Sequence, residues 1–237
     1  MTIFMAGESI MKENDYYTFP QFGWGQALKL FLKDKNVIIK DYAENGRSTK
    51  SFIEEGRLDK IIDEMEKDDY LIVSFGHNDE KINDLSRYTD PFGEYQDNLL
   101  YFARLIEQKK GHIIFATPVI RHQFENNKCI NSHGDYPKAM LDFANKYNYP
   151  CVDLFTKTFN LYNELGEEKS SRYHLIFGSG LYSNYPDGRI DHSHLNIDGA
   201  VMVSKFFVEG LYELNNPLKE YFIDVNNKII DNDYLEK

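Results

Sequence analysis

The sequence predicts an α/β fold in which helices cover a parallel sheet. Short apolar runs rich in β-forming residues alternate with longer stretches of helical periodicity, a pattern typical of βαβ units. Hydrophobic residues make up 42% of the 237 positions and aromatic residues 15%, which is enough apolar material for one sizeable core. These observations favour one domain over two small ones.

Five runs are predicted as strands, and most are continuously apolar, as expected for strands that helices cover on both faces. In chain order they are residues 2–7, 37–42, 69–75, 112–117 and 149–154. The clearest helices place apolar residues three and four positions apart, as in Leu99, Phe102 and Ile106. They cover residues 25–32, 93–110, 137–147 and 197–214, the last with Asn196 as its N-cap.

We expect residues 1–214 to form the domain. From residue 215 to residue 237 the chain is polar around a short apolar stretch, so this C-terminal extension is predicted to be docked or partly ordered.

The net charge of −11, from 38 acidic and 27 basic residues, argues against nucleic acid or an anionic membrane as a partner, because both would repel the protein. A neutral or modestly anionic substrate fits better. Cys129 and Cys151 belong to no metal-binding or disulfide pattern, which indicates core thiols of a reducing compartment. The first residues lack a basic segment and their apolar stretch is broken at Glu8, so we expect a cytoplasmic protein.

Polar residues follow three of the predicted strands, at residues 7–9, 45–48 and 76–79. Ligands of an open parallel sheet bind outside the carboxyl ends of its strands, so these loops are the first place to look for a site. Ser9 is the best-placed nucleophile, at the first strand-to-helix turn, where its amide would also favour a developing oxyanion. Taken alone, a serine at this position more often caps a helix.

The base that a serine nucleophile needs is predicted to be His194, in a short polar loop just before the closing helix. Asp191 lies three residues earlier, a spacing that suits a carboxylate orienting the imidazole, and His192 is the less favoured neighbour. Surface positions are the default for the other loop histidines, which are His122, His133 and His174.

Three groups are candidates for an oxyanion hole: the amide of Ser9, the amide of Gly46 and the side-chain amide of Asn78. A glycine brings its amide close because it has no Cβ, and an asparagine has an NH₂ group to donate. Judged singly, Gly46 could equally be an ordinary turn glycine, and Asn78 could be an ordinary Asx-turn asparagine.

Taken together, these blocks resemble those of the SGNH (GDSL-type) hydrolases: Gly7-Glu8-Ser9, Gly46, Gly76-His77-Asn78-Asp79 and Asp191-x-x-His194 occur in the same order. More narrowly, residues 23–25, 46–52, 75–79, 88–93 and 133–137 are similar to rhamnogalacturonan acetylesterases, the twelfth carbohydrate-esterase family. The resemblance covers roughly residues 2–214. Two departures are Glu8 and Ile10, where the family usually has Asp and Thr.

The resemblance implies a flavodoxin-like three-layer α/β/α fold with a five-stranded parallel sheet, and the removal of acetyl groups from pectic sugars without a metal or other cofactor. Within the matched blocks, the residues predicted to bind substrate are His77, His133 and Arg47. The expected partner is an acetylated oligosaccharide, and the protein is expected to be a monomer or a homodimer.

Other interpretations remain open. The same machinery would serve another acyl ester, such as acetylated xylan, another acetylated sugar, a short lipid or a thioester. Residues Asp191, His192, His194, His77 and Asp79 are also candidate metal ligands, although this reading leaves Ser9 unused. A relative that binds sugar without catalysis is the third alternative. Weak support for carbohydrate comes from aromatic residues of the loops, namely Trp24, Tyr136, Tyr182 and Tyr185, while residues 177–186 match no family block.

Overall fold

A computed structural model describes residues 1–225. In chain order the strands are β1 Thr2–Gly7, β2 Ile38–Asp41, β3 Tyr70–Ser74, β4 His112–Ala116, β5 Phe124–Glu125, β6 Lys128–Cys129, β7 Cys151–Val152, β8 His174–Phe177 and β9 Arg189–Leu195. Five of them form one all-parallel sheet in the order β2-β1-β3-β4-β7. The strand order reverses between β1 and β3, as in flavodoxin, and the predicted fold class is confirmed.

Helices cover both faces of this sheet. They are α1 Trp24–Leu28, α2 Thr49–Glu54, α3 Arg57–Glu64, α4 Glu94–Gln108, α5 Tyr136–Tyr147, α6 Leu154–Ser170 and α7 Ile197–Glu213. Side chains of β1 alternate between the two faces, as the pleat of a strand requires. Ile3 and Met5 pack in a core with α1 and α7, whereas Phe4 and Ala6 pack in a second core with α2, α3, α4 and α5.

The element bounds differ from prediction mainly near β7. The predicted strand ran to residue 154, but the Asp153 side chain accepts a hydrogen bond from the Thr156 amide and caps α6. The sheet strand therefore ends at Val152. Helix α6 was not predicted, and it is interrupted at Gly166, where φ is +75°. The N-cap predicted at Asn196 is confirmed by its hydrogen bond from the Gly199 amide.

An antiparallel hairpin, β8 with β9, stands apart from the central sheet. The prediction of a polar loop at residues 191–194 is wrong, because these residues belong to β9. Leu175 pairs with Asp191 but the preceding His174 pairs with Leu195, so three residues of β9 bulge out between the two pairs. The bulge carries the histidine that the sequence singles out.

Residues 215–225 fold back onto the core. A short 3-10 helix spans Pro217–Tyr221, and the side chains of Leu218 and Phe222 are fully buried. The rest of the predicted C-terminal extension, residues 226–237, lies outside the described residues. Within the described part, both cysteines are free thiols, and no helix is long and apolar enough to cross a membrane.

Candidate active site

Ser9 occupies a tight turn that follows β1. The carbonyl of Glu8 accepts hydrogen bonds from the amides of Met11 (3.0 Å) and Lys12 (3.1 Å). A Cβ on Gly7 would lie 2.7 Å from the Met11 sulfur, so only glycine allows this close return of the chain. The prediction that Ser9 stands at the start of a helix is wrong, because the first α-helix begins at Trp24 and a short 3-10 helix before it begins at Tyr16. The turn alone presents the hydroxyl.

Three predicted residues come together across 185 positions of sequence. Nε2 of His194 lies 3.0 Å from the Ser9 hydroxyl oxygen, and Nδ1 lies 2.8 Å from Oδ2 of Asp191. With Nδ1 donating to the carboxylate, Nε2 is left as the acceptor for the serine proton. The arrangement has the distances of a nucleophile, base and orienting acid.

The Asp191 carboxylate is held by several donors at once. Its Oδ1 accepts the amides of Ser193 and His194, both at 3.0 Å, and its Oδ2 also accepts from the Arg189 guanidinium at 2.6 Å. Burial opposes ionisation, but the hydrogen bonds from His194 outweigh it and hold the pKa of Asp191 well below its usual range. The carboxylate therefore stays charged beside the imidazole.

Glu8, which replaces the family's usual aspartate, is accommodated by buried hydrogen bonds. Its Oε1 accepts the amide of His77 at 2.9 Å and its Oε2 accepts Nδ2 of Asn78 at 2.6 Å. Burial, reinforced by the charge of Asp79, raises the pKa of Glu8 well above its usual value, and the His77 amide partly offsets the rise. The longer side chain thus ties the β1 turn to the loop after β3.

The three predicted oxyanion donors differ in their availability. Within residues 1–225, the amides of Ser9 and Gly46 donate to no protein acceptor, and Gly46 adopts a φ of +75° in the loop after β2. Asn78 donates instead to Glu8 and, at 3.1 Å, to the carbonyl of Arg47. Its Oδ1 accepts from Arg87 at 3.2 Å, which fixes the orientation of the amide. An oxyanion contact from Asn78 would have to compete with the longer bond to Arg47.

The predicted substrate-binding residues are not equally exposed. Arg47 is one-third exposed beside Gly46, where it pairs with Glu55. His77 and His133 are buried, and Nε2 of each ring lies 2.9 Å from the carbonyl of Val119. The side chain of His133 is completely buried, so its position supports a role in holding the site together rather than direct contact with substrate.

Several residues expected at the surface are buried. Surface positions for His122, His133 and His174 are wrong, since these residues are 3%, 1% and 1% exposed. Trp24 and Tyr136 are likewise core residues, which removes them as platforms for sugar rings. Tyr182 and Tyr185 are partly exposed in the β8–β9 hairpin, packed against Phe177.

The proposed metal ligands are not gathered in one place. Asp79 faces away from the triad, where its Oδ1 accepts the Thr49 hydroxyl at 2.5 Å and the Thr89 hydroxyl at 2.9 Å. No group of three or more His, Cys, Asp or Glu residues in the described part of the chain could hold a metal ion. The geometry favours the serine-centred reading.

Two arginines that touch the site residues were missed by the sequence reasoning. Arg87 bonds to Asn78, and Arg121 bonds to Ser193 and His77. Neither lies in a residue pattern that indicates a site. The only available signal was the position of Arg121 after the carboxyl end of the fourth predicted strand, at the edge where the other site loops lie.

The chain is similar over nearly its whole length to known acetylesterases. The family model for GDSL-like lipases and acylhydrolases matches residues 3–207. The chain is 38% identical to rhamnogalacturonan acetylesterase RhgT of Bacillus subtilis (strain 168), over 95% of this chain and 96% of that protein. It is 36% identical to the probable rhamnogalacturonan acetylesterase YesY of the same organism, over 93% and 97% of the two chains.

Solved structures show the same fold. The crystal structure of YxiM from Bacillus subtilis superposes with a TM-score of 0.74 at 21% identity, covering 91% of this chain and 57% of that longer one. The acetylxylan esterase Axe2 from Geobacillus stearothermophilus gives a TM-score of 0.62 at 12% identity, over 89% and 93% of the chains. From the extent of the family match and the near-complete coverage of its relatives, the chain belongs to the GDSL-like lipase/acylhydrolase family, also called the SGNH hydrolases.

Proposed function

We propose that this protein is a serine esterase that removes acetyl groups from acetylated carbohydrate, with pectic rhamnogalacturonan oligosaccharides as the first candidate substrate. The observation that carries the proposal is the 3.0 Å distance between the Ser9 hydroxyl and Nε2 of His194, with Asp191 behind the imidazole. The substrate class follows the printed names of the relatives that match nearly the whole chain.

The reaction proceeds by two acyl transfers. The Ser9 oxygen attacks the acetyl carbonyl while His194 takes its proton, and the same imidazole then protonates the sugar oxygen as the ester bond breaks. Water attacks the acetyl-enzyme along the same path and releases acetate. Asp191 keeps the proton on Nδ1 and stabilises the imidazolium that forms at each step.

The negative charge of each tetrahedral intermediate needs fixed donors. The amides of Ser9 and Gly46 are available for this role, because no protein group within residues 1–225 accepts them. Asn78 is the third donor, and the charge-assisted bond from Arg87 keeps its NH₂ group, rather than its oxygen, on the side of Glu8 and the site. Removing one such donor typically slows a serine hydrolase by about 10²–10³-fold.

A second candidate substrate is acetylated xylan, because the fold is shared with the acetylxylan esterase Axe2. In either case we propose that the substrate is an imported oligosaccharide and that it is cleaved in the cytoplasm by a monomer or a homodimer. The net charge of −11 disfavours nucleic acid and anionic membranes as partners. We further assign esterase activity to residues 1–214, with residues 215–237 as an extension of that domain. Recovery of the native protein outside the cell would contradict the proposed location.

The test is acetate release from acetylated rhamnogalacturonan and xylan oligosaccharides, together with hydrolysis of a small aryl acetate. Ser9→Ala is expected to abolish turnover of all of them while leaving the circular dichroism spectrum and the Tm unchanged, because only one partly exposed hydroxyl is lost. Ser171→Ala, which removes a hydroxyl bonded only to the carbonyl of Glu168, is the matched control and should retain full activity. Turnover that survives Ser9→Ala would refute the mechanism.

A further inference from the structure

Arg121 lies in the loop after β4 and is only 8% exposed, so it cannot be explained as a solubilising surface charge. Its guanidinium nitrogens contact three separate segments of the chain: the β9 bulge, the loop before α5 and the loop after β3. Nε donates to the Ser193 hydroxyl at 3.2 Å, Nη1 to the Ser132 carbonyl at 3.0 Å, and Nη2 to the His77 carbonyl at 3.3 Å. Nη2 also forms an ion pair of 2.5 Å with Glu80.

Two of these contacts lead directly to the two halves of the triad. Ser193, which accepts from Arg121, donates its amide to Asp191, and Asp191 in turn holds the imidazole of His194. His77, the other contact, donates its amide to Glu8, the residue immediately before Ser9. With the bond between Ser9 and His194, these contacts close a ring of hydrogen bonds around the site.

The ring spans elements from separate parts of the fold, and β9 is also held by backbone bonds from the amides of His122 to His192 (2.8 Å) and of Phe22 to Leu195 (3.0 Å). Ser9 follows β1 of the central sheet, whereas His194 lies on a bulge of the separate β8–β9 hairpin. The distance between nucleophile and base therefore depends on how the hairpin is fixed to the sheet. Arg121, from the loop after β4, is the one side chain in the described structure that bonds both the bulge and the loop after β3.

We propose that Arg121 is a positioning residue that sets the distance between Ser9 and His194 by fixing the β9 bulge to the loop after β3. This inference rests on the proposed esterase function. The residue does not touch substrate, because its guanidinium is buried among protein acceptors. It acts on the base through Ser193 and on the nucleophile through His77 and Glu8.

Lysine cannot replace it. The guanidinium offers five N–H donors in one plane, and here they point toward acceptors on three segments, whereas an ammonium offers three donors from a single atom. Glu80 balances the charge, and it also contacts Nδ1 of His133 at 2.9 Å. Removing Arg121 therefore leaves the partly buried carboxylate of Glu80 less well paired, so one variant must separate loss of position from loss of fold.

The experiment compares Ser193→Ala, Arg121→Lys, Arg121→Met and the Arg121→Met/Ser193→Ala double variant on a small aryl acetate. We expect kcat to fall about 10-fold for Ser193→Ala and on the order of 100-fold for Arg121→Met, as for a displaced catalytic group. KM should stay near the parent value, because no group that contacts substrate is changed. Guanidinium at concentrations far below those that unfold the protein should partly restore kcat in Arg121→Met.

The double variant is the decisive measurement. If Arg121 acts through Ser193, adding Ser193→Ala to Arg121→Met costs little further activity, and the two effects are not additive. Arg172→Met, which removes an exposed arginine paired with Asp198, is the matched control and should behave like the parent. Additive losses, or folded Arg121 variants with parental kcat, would overturn the proposal.

Failure of the positioning role and failure of the proposed esterase function give different results. If Arg121→Met does not fold, Ser193→Ala still tests the link to the bulge, because it removes one hydroxyl and no charge, and parental kcat in that variant would overturn the proposal. If the parent itself hydrolyses no ester, or retains activity as Ser9→Ala, the proposed function fails. If the parent is active, Ser9→Ala is inactive and the Arg121 variants keep the parental kcat, only the positioning role fails.

Discussion

The two carboxylate oxygens of Asp191 have separate tasks. Oδ1 accepts the amides of Ser193 and His194 and so shapes the bulge, while Oδ2 accepts Nδ1–H and orients the ring. One side chain therefore builds the local backbone and selects the histidine tautomer. The lowered pKa of Asp191 also links this residue to stability. Its contribution to the free energy of unfolding is present above the ordinary carboxyl pKa and is lost as pH falls toward the pKa of Asp191 in the folded protein.

Asp191→Asn is expected to lower kcat by about 10³–10⁴-fold with a modest loss of stability. An amide can still accept at Oδ1, which preserves the bulge, but its NH₂ group would face Nδ1. The imidazole would then carry its proton on Nε2 and could not accept the Ser9 proton. Steady-state kinetics on an aryl acetate measure the effect, with the exposed Asp198→Asn as control. A loss smaller than 10-fold would show that Asp191 does not select the tautomer.

Glu8→Gln is expected to reduce kcat about 10-fold or more, although it preserves size. The two oxygens of Glu8 accept from two N–H groups, whereas glutamine offers only one acceptor and places an NH₂ group against a donor. Asn78 cannot turn over to relieve the conflict, because Arg87 holds its oxygen. The measurement is kcat and Tm for Glu8→Gln beside Glu54→Gln, a change at an exposed position of α2. Equal activity of Glu8→Gln and the parent would argue against a part for Asn78 in catalysis.

The sequence was informative for residues that directly follow strands or precede helices. Ser9, Gly46 and Asn78 could be predicted as neighbours because parallel strands end at one edge of a sheet. His194 could be predicted from its spacing to Asp191 just before the closing helix. The roles of Arg87 and Arg121 could not, since each depends on partners from separate loops whose approach is fixed only by tertiary packing. The burial of His133 escaped prediction for the same reason.

Among the elements, helix α7 shows how closely a helix approaches the sheet behind the site. A Cβ on Gly210 would lie 2.4 Å from Cγ1 of Val152 in β7, a branched side chain that has little freedom to move. This helix begins at Ile197, three residues after His194. Its packing thus bears on the base as well as on the core.

Gly210→Ala is expected to destabilise the protein by about 1–3 kcal/mol, because overpacking outweighs the better helix propensity of alanine. Urea unfolding monitored by circular dichroism measures the change. Val152→Ala in the same chain removes the clashing methyl groups, so the double variant should be less destabilised than the sum of the two single changes. Gly178→Ala, where a Cβ meets nothing within 4 Å, is the control.

Element prediction succeeded where the local pattern is strong. Most of the five sheet strands are continuously apolar and all five occur, with β1 matching at both ends. The β8–β9 hairpin escaped prediction because β8 is only four residues long, because β9 is mostly polar, and because eleven residues separate the two strands. Helix α6 was missed since its start at Leu154 continues an apolar run that reads equally well as strand.

At the scale of the whole molecule, buried carboxyl groups shape the dependence of stability on pH. Burial raises the pKa of Asp79 to about 7, and the pKa of Asp41 likewise. Between about pH 4 and pH 7 the folded protein keeps protons that the unfolded chain has released. The free energy of unfolding therefore falls as pH rises through this range, the opposite sense to Asp191.

Asp79→Asn is expected to reduce the decrease in the free energy of unfolding between about pH 4 and pH 7. The amide oxygen can still accept the hydroxyls of Thr49 and Thr89, but the group no longer titrates. Urea midpoints of parent and variant at pH 4, 5.5 and 7 give the comparison. Loss of the Asp79 charge also removes one cause of the raised pKa of Glu8, which acts in the same direction. The exposed Asp97→Asn is the control. Parallel pH curves for parent and Asp79→Asn would contradict the prediction.

The base, His194, lies on a hairpin outside the main sheet, and this affects the temperature at which activity is lost. Opening of such a peripheral unit costs less free energy than melting of the central strands. His194 would then leave Ser9 while the hydrophobic cores stay intact. On warming, esterase activity is therefore expected to be lost at a lower temperature than the circular dichroism signal. An inhibitor that contacts both Ser9 and His194 should raise the temperature of inactivation more than the Tm.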